Sequence, residues 1–245
     1  MDPALHFRSA VAMVGRFPVL AGVDLDVARG EVVLLRGANG AGKTSLLRAC
    51  AGLLRVVSGD AVVLGEDLVA DPRAVRRRVG LLGHSGALYD DLSPLDNVRF
   101  FMRASGRSAE RAEAALDRMS LTGRLRTTPV RSLSAGQKRR AALAALFAGD
   151  PEVWLLDEPL AALVAEHRDL LDSVVRDAVR SGATVLLSSH EDVRSESLAD
   201  RVVTMAGGVV TSSAFITSGR AGRQAVPGLS AQPDSTRARG VANVA

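Results

Sequence analysis

Apolar and polar positions divide the chain into short hydrophobic runs separated by glycine-bearing or polar turns. Residues 4–14 and 19–28 read as antiparallel strands. In the second, Val23, Leu25 and Val27 alternate with Asp24 and Asp26, the period of a half-buried strand. Arg29-Gly30-Glu31 turns into a strand at 32–36 built on Val32-Val33-Leu34-Leu35. Ala61-Val62-Val63-Leu64 before Gly65 predicts a further strand and turn, Pro72 to Arg78 a short basic helix, and Val79-Gly80-Leu81-Leu82 a buried strand. From about Ser93 to Gly149 the period becomes helical, with Ser93-Pro94 as cap and first helical residue. Ser108 opens a second helix carrying Ala112, Ala115, Leu116 and Met119 on one face, and Ser134 caps a third running through Leu143, Leu146 and Phe147. Strand character returns at 153–156 and 183–187, with helices near 164–180 and 191–198. A hairpin, Arg201 to Met205 and Val209 to Thr211, turns at Gly207-Gly208.

Strands alternating with helices predict an α/β fold, a mainly parallel sheet covered on both faces, preceded by antiparallel strands and interrupted by an all-helical insertion over about 93–149. From residue 213 to 245 the chain is rich in Ser, Gly, Ala, Arg and Pro, and a disordered tail is expected there. At 245 residues, 47% of them apolar, one domain with a full core is expected. No apolar run approaches a membrane span and no signal peptide opens the chain, which predicts a cytosolic protein that reaches a membrane only through a partner. Cys50 is the only cysteine and reads as a small core residue, which excludes an internal disulfide. The net charge of +4 comes almost entirely from arginine, with Lys43 and Lys138 the only lysines. Its knots at Arg76-Arg77-Arg78 and Arg139-Arg140 read as solvated helix faces, and with 3% aromatics to stack on bases, no nucleic-acid partner is expected.

The candidate chemistry centres on Gly37-Ala38-Asn39-Gly40-Ala41-Gly42-Lys43-Thr44-Ser45, placed between a predicted strand and a predicted helix. That context turns the pattern G-x-x-x-x-G-K-[ST] into a nucleoside triphosphate site. Glycines let successive N–H groups point at an anion, and the helix adds unpaired N–H groups and the positive end of its dipole. Lys43 would reach the β- and γ-phosphates and the Thr44 hydroxyl would bind Mg²⁺. Val153-Trp154-Leu155-Leu156-Asp157-Glu158 releases two carboxylates at a strand's C-terminal edge, where open α/β sheets bind ligands. Asp157 can hold Mg²⁺ through water and Glu158 can polarise the water that attacks the γ-phosphate. Leu133-Ser134-Ala135-Gly136-Gln137 opens a helix and is by itself either an ordinary cap or an anion-seeking turn. His190 follows the strand at 183–187 through Ser188-Ser189, on the same sheet edge, and fits a γ-phosphate sensor.

In order and spacing this set resembles the ATP-binding subunit of ABC transporters over about residues 4–212. The resemblance implies a P-loop NTPase fold, a nucleotide-binding domain over 1–212, and hydrolysis of ATP with Mg²⁺. It implies two copies holding ATP head to tail, each nucleotide between one phosphate loop and the other copy's Leu133, Ser134, Ala135, Gly136 and Gln137. It further implies an integral-membrane permease partner, docked near His84 to Asp91, and a place on the cytoplasmic face of the cell membrane. His84 stands where the family usually has a Gln that senses Mg²⁺ and the attacking water, and Val164 where it has an Asp that crosses the dimer interface. The adenine-stacking aromatic would fall near Val14-Gly15, leaving Phe17 to stand in. Gly83-His84, Leu88-Tyr89 and Ala135 are similar to the haem-exporter subunits of cytochrome c maturation, which implies haem export. The alternatives are the same engine serving a lipid, drug or polysaccharide exporter, a non-transport ABC protein acting on ribosomes or DNA, and a nucleotide-binding regulator that barely hydrolyses ATP.

Overall fold

A computed structural model describes residues 2–83, 87–189 and 193–216. The first strands are β1 (Leu5–Val14) and β2 (Phe17–Val27), and they pair antiparallel as their alternation predicts. With β4 (Val56–Val63) and the short β5 (Glu66–Asp67) they form a four-stranded antiparallel sheet in the order β2-β1-β4-β5. The second sheet contains β3 (Val32–Arg36), β6 (Val79–Leu82), β7 (Val153–Asp157), β8 (Thr184–Ser188), β9 (Arg201–Ala206) and β10 (Val209–Phe215). Its order is β10-β9-β3-β8-β7-β6, parallel throughout except where β10 folds back on β9.

The uninterrupted apolar runs are explained by what covers the second sheet. Successive side chains of a strand point to opposite faces. Val33 and Leu35 therefore join the core under the antiparallel sheet and helix α1 (Lys43–Cys50), together with Leu155, Leu186 and Met205. Val32 and Leu34 join a second core with Trp154, Leu156, Val185 and Leu187, beneath the remaining helices. Burying a side chain of that size stabilises by about 1.5–3 kcal/mol, so each face of the sheet is anchored independently. Cys50 is fully buried in the first core, as expected, and burial pushes its thiol pKa up.

The helical insertion consists of α2 (Pro94–Ala104), α3 (Ala112–Arg118) and α4 (Ala135–Gly149), with one 3₁₀ segment between the first two and two between the last two. Ser93 caps α2 through the Asp96 amide, with Pro94 in the first turn. Ser108 caps a 3₁₀ turn at Ala109–Arg111 rather than α3 itself. The later helices are α5 (Ala165–Arg180) and α6 (Val193–Leu198).

Three expectations are corrected. Residues 72–78 form consecutive turns, not a helix. Their amides reach mostly three residues back, Arg76 to Arg73 and Arg78 to Val75, and Pro72 has no amide hydrogen to offer. Arg139 and Arg140 are buried, not solvated. Their guanidinium groups satisfy main-chain carbonyls, and desolvation depresses the pKa of both. The hairpin strand β10 continues to Phe215, past the residue where the tail was expected to begin, and residues 217–245 lie outside the described residues.

Candidate functional site

The turn between β3 and α1 curls because its glycines take backbone that other residues resist. Gly37 sits at φ 142°, and a Cβ there would lie 2.2 Å from the Met205 carbonyl oxygen. Gly42 caps α1 in the left-handed region at φ 106° with no side-chain cap, so the first amides of the helix remain available. No acidic residue occupies the first turn of α1, which leaves its positive end uncompensated. Lys43 is buried at 7% exposure and turns its ammonium back on the loop, donating to the Gly37 carbonyl at 2.6 Å and the Ala38 carbonyl at 3.2 Å.

Across from the loop, β7 delivers Asp157 at its end and Glu158 just beyond it. Thr44 Oγ1 donates to Asp157 Oδ2 at 2.9 Å, and Ser188 Oγ, from the end of β8, donates to Asp157 Oδ1 at 2.7 Å. The same serine oxygen accepts the Glu158 amide at 3.0 Å. Glu158 is half-buried and has φ 49°, a left-handed conformation uncommon for a residue with a side chain. A cavity of about 710 Å³ lies between these groups. Asn39, Gly40, Gly42, Lys43, Thr44, Ser45, Asp157 and Glu158 are all on its wall. The sequence therefore placed the phosphate loop and both acids on one cavity, with Gly37 supporting the loop behind Lys43.

Thr44 and Asp157 are hard oxygen donors already in hydrogen-bond contact, the donor chemistry that Mg²⁺ takes. No cluster of three or more His, Cys, Asp or Glu side chains occurs among the described residues.

The comparisons agree with this geometry. The profile of the ABC transporter family matches residues 20–161, more than half of the chain. The chain belongs to the ABC transporter family. Among its relatives, the cytochrome c biogenesis ATP-binding export protein CcmA of Paramagnetospirillum magneticum is 40% identical over 196 residues, which is 78% of this chain and 90% of that protein. The daunorubicin resistance ATP-binding protein DrrA3 of Streptomyces coeruleorubidus is 39% identical over 213 residues, 85% of this chain and 67% of that protein. A solved ATP-binding subunit of an ABC transporter superposes with a TM-score of 0.79 at 26% identity, covering 87% of this chain and 90% of that one. A dimeric bacterial ABC transporter cassette, at TM-score 0.80 and 21% identity over 87% of this chain and 99% of that one, shows the shared fold. This ABC subunit is thus an ATPase that takes ATP with Mg²⁺.

The expected residues 133–137 do not line this cavity. Ser134 caps α4 in a full capping box: its hydroxyl accepts the Gln137 amide at 3.3 Å, while Gln137 Oε1 accepts the Ser134 amide at 2.9 Å. Leu133 is buried beneath it, and Ser134 and Ala135 are exposed. None of residues 133–137 is among the described residues lining the cavity of their own copy. His84 and His190 lie outside the described residues. Val164 is 60% exposed at the start of α5, which has no side-chain cap. Phe17 is exposed at the β1–β2 turn, and the adjoining Pro18 and Val19 form part of the cavity wall.

Sequence reasoning missed four contributors. Ser188 read only as a link from the strand at 183–187 to His190, yet it donates to the Asp157 carboxylate and accepts the Glu158 amide. Gly207 and Gly208 read only as a hairpin turn, but they also line the cavity, and the Gly208 amide donates to the Ala41 carbonyl at 3.0 Å. Arg139 was grouped with its basic neighbours; its helical spacing to Leu143 and Leu146 was the available sign that it faces inward.

Proposed function

We propose that this subunit hydrolyses ATP on the cytoplasmic face of the cell membrane to power a separate integral-membrane permease, and that its task is haem export for c-type cytochrome assembly. The observation that carries the reading is the convergence of Lys43, Thr44, Asp157 and Glu158 on one cavity at the mouth of a glycine turn. Similarity to CcmA across 90% of that protein's length supports the haem assignment. No helix among the described residues is long and apolar enough to cross a membrane, so membrane passage is assigned to the permease.

In this reading Lys43 exchanges its bonds to the Gly37 and Ala38 carbonyls for the β- and γ-phosphates, alongside the amides that follow Gly40. Thr44 and Asp157 hold Mg²⁺, which when bound neutralises charge on the phosphate oxygens. Glu158 accepts a proton from the water that attacks the γ-phosphate, with His190 and His84 orienting that water. The tip at Ser134, Ala135 and Gly136, the first two exposed, faces the nucleotide of a second copy arranged head to tail. The unit performing this is the nucleotide-binding domain, which extends through β10 to Phe215, with the helical insertion at about 93–149.

Turnover of Glu158→Gln against wild type tests the chemistry. A fall of about 10²–10⁴-fold is expected for loss of a general base, with nucleotide affinity retained, and equal rates would remove Glu158 from that role. Co-expression with candidate permeases tests the cargo: stable capture of a haem-export permease is expected. Capture of a drug permease instead would favour the second reading, which the 39% identity to DrrA3 supports.

A further inference from the structure

Glu158 is held in its uncommon left-handed backbone from two sides. On the amino side, Ser188 Oγ accepts its amide. On the carboxyl side stands Arg139, one helical turn into α4 and 7% exposed. Its Nη2 donates to the Asp157 carbonyl at 2.5 Å and the Glu158 carbonyl at 2.6 Å. Its Nε reaches the Pro159 carbonyl at 3.4 Å, and its Nη1 donates to the Gly83 carbonyl at 2.7 Å. All four acceptors among the described residues are main-chain oxygens. The side chain therefore grips the backbone leaving the C-terminal ends of β7 and β6, and donates to no carboxylate among the described residues.

A buried guanidinium spent on carbonyls is costly, because its desolvation is offset only through hydrogen bonds. The return is geometric. A left-handed non-glycine residue costs about 1–3 kcal/mol and persists only where its surroundings over-determine it. The same helix turn meets the acid loop a second time: a Cβ on Gly136 would lie 2.9 Å from the carbonyl oxygen of Ala162, itself at φ 63°. Both left-handed residues of the loop are thus seated against the opening of α4.

We propose that Arg139 is a positioning residue for ATP hydrolysis: it clamps the backbone of residues 157–159 so that the Glu158 carboxylate is held toward the phosphate cavity, and it ties that carboxylate to the helix that begins at Ser134. The proposal rests on the reading of Glu158 as the base, and the experiment separates the two.

Full-length Arg139→Lys and Arg139→Gln are measured for ATP turnover, ATP affinity and amide hydrogen exchange, alone and in a Glu158→Gln background. Misplacing a catalytic group by about 1 Å costs on the order of 100-fold, so turnover is expected to fall by about that factor. ATP affinity should stay within about threefold, since only transition-state interactions are lost. Exchange across residues 157–163 should accelerate. In the Glu158→Gln background the Arg139 substitutions should cost nothing further in turnover. Should Arg139→Gln fail to fold, Arg139→Lys and Ser188→Ala carry the same measurements, because each loosens one side of the clamp. Wild-type turnover, unchanged exchange across 157–163, or an undiminished loss in the Glu158→Gln background would each overturn the proposal. If Glu158→Gln alone turns over like wild type, the base assignment falls, and the exchange measurement by itself then judges the clamp.

Discussion

The glycine loop at 37–42 and the acid loop at 158–162 face each other across one cavity, yet they reach left-handed backbone by opposite means. The first uses Gly37, Gly40 and Gly42, for which positive φ carries little steric cost. The second places Glu158 and Ala162 at positive φ, with Glu158 held there by bonds from Ser188 and Arg139. A loop that must wrap an anion with its amides needs bare backbone. One that must present a carboxylate cannot use glycine at the residue bearing it, so its shape has to come from outside.

That contrast can be broken most severely at the glycine loop. Lys43→Ala removes the cation that the loop folds around and is expected to lower turnover by on the order of 10²–10³-fold, the range for a lost charge-stabilising group; phosphate release at saturating ATP measures it. Gly37→Ala drives a Cβ into the Met205 carbonyl. Overpacking together with an unfavourable φ is expected to cost about 3 kcal/mol, read as a lowered denaturation midpoint, and a midpoint like wild type would show that the loop tolerates side chains after all.

On the acid loop, Ser188→Ala leaves Asp157 Oδ1 and the Glu158 amide without their shared partner. A cost of about 1–3 kcal/mol in stability is expected, together with a fall in turnover that the folding loss alone does not explain. Ala162→Gly works in the opposite direction: it relieves a strained φ at the expense of unfolded-chain entropy, for a net gain of at most about 1 kcal/mol. A rise in melting temperature of about 2–4 °C per kcal/mol gained would register it, whereas a fall would mean that the loop carries no strain at 162. Glycine should therefore help where the protein has none and be indispensable where it has one.

The same contrast governs how much could be read from the chain before its fold was known. The phosphate loop was legible because glycine, lysine and threonine carry their conformational and chemical roles locally, between a recognisable strand and helix. The cap at Ser134 was legible for the same reason, with Gln137 three residues on to complete the box. The parallel sheet followed from uninterrupted apolar runs, which only a doubly covered strand needs. Ser188 and Arg139 were not legible, because their roles are fixed by partners 30 and 19 residues away, at Glu158. In the run Lys138-Arg139-Arg140, composition reads as a solvated face, and only the spacing of Arg139 to Leu143 and Leu146 points it inward, without naming its partners. Residues 72–78 failed too: a basic segment after proline suits a short helix locally, but its amides reach mostly three residues back and it forms consecutive turns before β6.

The burial of Cys50 has a practical consequence. As the sole thiol in the chain, enclosed in the core beneath the antiparallel sheet and held in its protonated form, it offers maleimide or spin-label reagents nothing to attack in the native protein. A cysteine introduced at exposed Val164 would therefore be the single labelled point on each copy. Distances between two such labels, followed through a round of hydrolysis, would report the approach and separation of the copies without first engineering away any native thiol.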